Sequence, residues 1–169
     1  MTPPRILVAG LGNIFHGDDG FGSEVARRLA RRRQPDGVRV VDFGIRGRDL
    51  AYELLNEPGG LLLIDAAPRG GPPGSLYVLE PEAGSFGTDA ISAAQAHGMG
   101  PVEIFRLVGA MGATLPRTFV VGCEPGSIDP EFEEAMGLSA AVARAVEEAV
   151  PLVESLIDEM LQADGGRHA

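Results

Sequence analysis

Three places in the chain carry side chains suited to chemistry. The first is Gly10-Leu11-Gly12-Asn13-Ile14-Phe15-His16-Gly17-Asp18-Asp19-Gly20, a glycine-rich turn that ends in adjacent acids. The second is Asp65, which directly follows the apolar run Leu61-Leu62-Leu63-Ile64, and the third is His97, in Ala96-His97-Gly98-Met99-Gly100. Two carboxylates and an imidazole make a mixed oxygen and nitrogen ligand set that suits Ni²⁺, Zn²⁺, Mn²⁺ or Fe²⁺, and it leaves coordination positions open for water or substrate. Asp19, Asp65 and His97 are therefore expected to converge on one metal-responsive site. Each also has a plainer use: Asp18 or Asp19 as a helix N-cap, Asp65 as the cap of a neighbouring turn, His97 as a surface-loop residue.

A glycine-rich turn between a strand and a helix is also where dinucleotide folds hold a pyrophosphate. Here the third glycine of the G-x-G-x-x-G pattern is replaced by Phe15, and Asp18 and Asp19 would repel a phosphate. Asp42 stands where a ribose-binding acid would lie, which keeps a nucleotide-binding module as a rival. Cys123 follows an apolar run and reads as a core residue rather than a nucleophile. The arginines at 27, 28, 31, 32 and 33 read as a solvated helix face. No G-x-S-x-G elbow and no H-E-x-x-H helix occurs, so serine-hydrolase and zincin chemistry fall away.

The elements that must position these residues alternate short apolar runs with amphipathic stretches, which predicts a mostly parallel twisted sheet with helices on both faces, a three-layer α/β domain. Strands are expected at Arg5–Ala9, Val38–Phe43, Leu61–Ile64 and Thr118–Cys123, with an edge strand at Ser75–Leu79. Phe21, Val25 and Leu29 recur at helical spacing, and a short helix is expected around Leu50–Leu55, closed by Gly59-Gly60 as a C-cap. Pro101 suits the first turn of a helix carrying Val102, Phe105 and Val108, and Ser139 suits the N-cap of a long last helix with a kink at Pro151. If the third strand lies beside the first, on the side away from the second, Asp65 and the Gly10–Asp19 loop face each other across the point where ligands bind in such sheets. One domain over residues 1–162 is expected, with 163–169 as a fraying tail.

The totals agree with one domain: 169 residues, with no apolar run near the roughly 18 to 20 residues that span a bilayer. A net charge of −10, with 24 acids against 14 bases, argues against a nucleic-acid partner. Every base is arginine, which removes P-loop, Schiff-base and Ser-Lys chemistry. One cysteine excludes an internal disulfide and suits the cytoplasm. A monomer is expected.

The run Ile6-Leu7-Val8-Ala9-Gly10-Leu11-Gly12-Asn13, the Gly17-Asp18-Asp19-Gly20-Phe21-Gly22 box, Leu63-Ile64-Asp65-Ala66, His97-Gly98-Met99-Gly100 and Val121-Gly122-Cys123-Glu124-Pro125 together resemble hydrogenase maturation proteases, in order and over most of the chain. That resemblance implies an endopeptidase, grouped with aspartic-type peptidases, that removes the C-terminal extension of a nickel-iron hydrogenase large-subunit precursor once nickel is inserted. Asp19, Asp65 and His97 match the family's metal-contacting positions, and the nickel arrives with the substrate; other divalent metals are expected to substitute in vitro. Asp19 or Asp65 would act as general base, or the metal would activate water. A metal-binding chaperone with the same ligands is the non-catalytic alternative. Two departures stand out: Gly44-Ile45-Arg46-Gly47 replaces a Gly-Thr-containing turn, offering Arg46 as a grip for a substrate carboxylate, and Asp19 stands where some members carry glutamate. Peptidyl-tRNA hydrolases share the opening Gly-Leu-Gly-Asn strand, but no downstream histidine motif of theirs follows.

Overall fold

The computed structural model describes residues 2–82, 99–126 and 137–166. In chain order the elements are β1 (Ile6–Leu11), a one-turn 3-10 helix (Gly17–Gly20), α1 (Phe21–Ala30), β2 (Val38–Gly44), α2 (Gly47–Leu54), β3 (Gly60–Ala66), β4 (Leu76–Leu79), α3 (Pro101–Ala110), β5 (Arg117–Cys123) and α4 (Ala140–Gly165). The five strands form one sheet in the order β2-β1-β3-β5-β4, in which only β4 runs antiparallel to its neighbour. The third strand thus lies beside the first, away from the second, as the sequence predicts.

Every residue of β3 is buried, because helices cover the sheet on both faces. Successive side chains of a strand point to opposite faces, and β3 divides accordingly. Leu62 and Ile64 join α1 and α4 through Val25, Leu29, Val146 and Val153. Leu61 and Leu63 join α2 and α3 through Leu50, Leu54, Ile104 and Val108. Three layers result. Truncating one of these fully buried leucines to alanine would cost about 2–5 kcal/mol, since the surrounding side chains close a cavity only in part.

One local expectation differs. α2 ends at a right-handed Leu55 cap, and the left-handed residue of the following turn is Glu57, at φ 54°, rather than a glycine of the Gly59-Gly60 pair. Gly59 is held instead by the first strand's approach: its N–H donates to the Pro4 carbonyl at 3.1 Å. The last helix begins at the expected Ser139 cap, whose hydroxyl accepts from Val142 N–H at 3.4 Å, and continues through Pro151 to Gly165. Among the described residues, no helix is long and apolar enough to cross a membrane.

Candidate active site

The loop from β1 to α1 is shaped by close backbone approach. A side chain on Gly22 would run into the carbonyl oxygens of Ile64 and Leu11, and one on Gly10 would stand 2.6 Å from Ala26 Cβ. The start of α1 therefore rests directly on β1 and β3, and the preceding loop rises over the carboxyl ends of those strands. Gly12, at φ 146°, turns the chain there, where a Cβ would meet the Asp19 carbonyl.

The two acids of this loop separate. Asp18 is buried, and three donors converge on it from the far end of the chain: Ser139 N–H to Oδ1 at 2.7 Å, Gly126 N–H to Oδ2 at 2.8 Å and the Ser139 hydroxyl to Oδ2 at 2.9 Å. Asp19 is partly exposed and accepts from Asn13 N–H at 3.0 Å, across its own loop. Neither acid caps α1, whose N-cap is Gly20 and which has no side-chain cap.

Asp65 lies at the carboxyl end of β3, in register with Gly122 of β5, and is 4% exposed. By strand alternation it shares its face with Leu61 and Leu63, and so points toward the layer of α2 and α3. Both of those helices begin at this edge of the sheet, α2 at Gly47 and α3 at Pro101. The one-turn helix that carries Asp19 lies against β3. The two acids thus occupy the same edge at neighbouring strands, as expected from the topology. His97 lies outside the described residues. Met99, two residues on, abuts Gly47 at the head of α2. Among the described residues, no three His, Cys, Asp or Glu side chains form a group that could hold a metal ion. His16 is exposed on the first loop.

Arg46 is exposed and engaged within its own turn. Its guanidinium donates to Asp49 Oδ2 at 3.2 Å and to the Asp42 carbonyl at 3.0 Å, and lies 5.8 Å from the centre of the Phe43 ring. Asp42 is taken up by Arg27 at 3.1 Å and by Gly44 N–H at 3.0 Å. Cys123 is buried, and burial, helped by the charges of Asp18, Glu124 and Glu148, pushes its thiol up to about 12, so no thiolate is available near neutral pH.

The sequence reading passed over Glu124. It is buried just beyond β5 and accepts from Arg69 N–H at 2.7 Å, Gly70 N–H at 3.0 Å and the Tyr77 hydroxyl at 2.9 Å. Burial opposes its charged form, but these donors outweigh it and hold the carboxyl below its ordinary range. Glu124 thereby folds down the loop that leaves Asp65. Its signal was the one that marked Asp65, an acid directly after an apolar run.

Carboxylates at the carboxyl edge of the parallel strands stand where open α/β sheets bind their ligands. The profile of the hydrogenase maturation protease family matches residues 23–156. The chain belongs to that family and is a hydrogenase maturation endopeptidase. It is 31% identical over 156 residues to the hydrogenase expression/formation protein HupD of Rhodobacter capsulatus, spanning 86% of this chain and 71% of the relative. A putative hydrogenase maturation protease of Methanocaldococcus jannaschii is 29% identical over 159 residues, 90% of this chain and 96% of that one. Among solved structures, the hydrogenase maturating endopeptidase HybD from E. coli superposes with a TM-score of 0.73 at 25% identity, over 92% of this chain and 93% of that chain. The hydrogenase 2 maturation peptidase from Thaumarchaeota archaeon SCGC_AB-539-E09 does so at 0.66 and 31% identity, over 90% and 97%.

Proposed function

We propose that this endopeptidase removes the C-terminal extension of a nickel-iron hydrogenase large-subunit precursor after nickel has been inserted, and that Asp19, Asp65 and His97 recognise the installed metal. The observation that carries the reading is the buried Asp65 at the carboxyl end of β3, beside the loop that presents Asp19. Two carboxylates at one sheet edge make an anionic, oxygen-donor site, and a cationic metal brought by the substrate is the complement such a site favours. Nickel is thus part of the substrate. Met99 at the head of α2 returns the chain to this edge two residues after His97, which supports His97 as the third ligand.

The precursor is held by the metal with its scissile carbonyl near the two acids. One carboxylate then takes a proton from the attacking water as general base, and the leaving amine is protonated as the peptide bond breaks. Metal polarisation of the carbonyl is the competing route. Arg46 contacts a carboxylate of the precursor, exchanging its Asp49 partner. The enzyme works as a cytoplasmic monomer, with no nucleic-acid or membrane partner.

Two experiments test this. In cells lacking the protein, mass spectrometry of the large subunit should find a retained C-terminal peptide that is absent when the protein is restored. With purified proteins, Asp65→Asn should abolish cleavage of a nickel-loaded precursor at unchanged secondary structure, and His97→Ala should slow it and weaken metal binding. A metal-binding chaperone would leave the large subunit's mass unchanged in both strains. Processing by Asp65→Asn at the wild-type rate would remove Asp65 from the mechanism.

A further inference from the structure

Among the described residues, five large hydrophobic side chains are exposed, and they are not scattered evenly: Tyr52 and Leu55 belong to α2 and its end, Val78 to the edge strand β4, and Phe15 and Ile45 to the two loops at the carboxyl edge of β1 and β2. Phe15 is 60% exposed and Ile45 75%. Their loops leave the sheet side by side. Leu11 pairs with Gly44, and Gly12 N–H donates to the Gly44 carbonyl at 2.9 Å.

Both side chains stand on turns that are already ordered. Phe15 N–H donates to Asn13 Oδ1 at 3.0 Å, while Asn13 N–H is held by Asp19. Gly44 N–H donates to Asp42 Oδ1 at 3.0 Å, and Arg46 N–H closes the turn onto the Phe43 carbonyl at 2.9 Å. The core beneath is filled without them, by Leu11, Phe21 and Phe43. Large apolar groups displayed on rigid backbone lose little freedom when a partner covers them, which is the property of residues that dominate recognition.

We propose that Phe15 and Ile45 determine substrate specificity by gripping a bulky apolar side chain of the precursor's extended C-terminal segment, beside the scissile bond. The inference rests on the peptidase reading above. Continuity with the site selects this occupant: Phe15 shares its loop with Asp19, Ile45 adjoins Arg46, and the two loops leave neighbouring strands at the edge where the acids lie. Neither position offers a charge of its own, so the grip reads an apolar residue, whereas the acids read the metal.

The test uses full-length protease with a nickel-loaded precursor, and compares wild type with Phe15→Ser, Ile45→Ser and the double variant. Each truncation should raise KM about tenfold, the effect of losing one apolar anchor worth somewhat over 1 kcal/mol, while kcat changes far less. Phe15→Leu and Ile45→Val should restore most of the loss, and Tyr52→Ser, on the outer face of α2, should change nothing. On the substrate side, replacing the bulky apolar residues that flank the cleavage point by serine should weaken wild type but add little to the double variant, the non-additivity expected of groups in contact. This arm leaves the protease untouched. Wild-type failure to cleave would overturn the peptidase reading itself. Wild-type cleavage with an unchanged KM in the double variant, or full additivity with the substrate substitutions, would overturn this inference alone.

Discussion

Asp18 and Asp19 are neighbours in the chain with divided work. Asp18 gathers donors from Gly126 and Ser139, whereas Asp19 is turned to its own loop and the carboxyl edge. Adjacent acids at the start of a helix look alike in a sequence, and what distinguishes them is a set of partners 108 and 121 residues further on. Asp18→Asn should therefore lower stability by about 1–3 kcal/mol, because an amide nitrogen must face N–H donors, and a denaturant titration measures it. Asp19→Asn should leave the midpoint nearly unchanged and slow processing instead. The position of Asp65 was legible because an acid that ends an apolar run falls at a strand's carboxyl end; Glu124 carried the same mark but was read only as the start of a loop. Its carboxyl titrates below the ordinary 4.5 in the folded state, so its contribution is complete above that value and is lost as pH falls through the lower folded one. Glu124→Gln should lower the melting temperature at neutral pH and leave a shallower loss on acidification, read by thermal melts from pH 7 to below pH 4.

The elements were legible where period and burial agreed. β3 and β5 are continuous apolar runs because both their faces are covered, and α3 is marked by Pro101 at its first position, where the missing N–H has no helical partner to lose. The turn after α2 was misread because a glycine pair advertises a left-handed residue, while the chain places it at Glu57 and keeps Gly59 for contact with the first strand. Pro151 marks the expected kink. Yet α4 passes through it, since Val146, Val150, Val153 and Ile157 bury one continuous stripe against the sheet and α1. Packing outweighs the lost hydrogen bond there. As Pro151 itself is exposed, Pro151→Ala should restore a backbone donor without disturbing the core, raising stability by about 1–3 kcal/mol in a denaturant titration.

At the scale of the molecule, the proposed set of Asp19, Asp65 and His97 would be suited to completing the coordination of a metal delivered by another chain rather than to holding its own. Purified protein should retain little nickel after dialysis, and calorimetry should show weak binding. Cleavage should follow whether the precursor was loaded: nickel given to the protease alone, then mixed with apo-precursor and chelator, should not produce it. A dialysis-resistant metal together with efficient cleavage of apo-precursor would defeat the substrate-metal reading. The clamp between Asp18 and Ser139 adds a condition in time. Synthesis proceeds from the amino terminus, so the loop bearing Asp19 is made early but its fastening is made late, after the chain has closed a loop of 121 residues. A nascent chain that reaches Cys123 but not Ser139 holds all five described strands, yet leaves the Asp18 carboxylate without the two donors that Ser139 supplies. The fold thus ties its earliest loop to the cap of its last helix, so that the loop receives its final fastening only once Ser139 has been made.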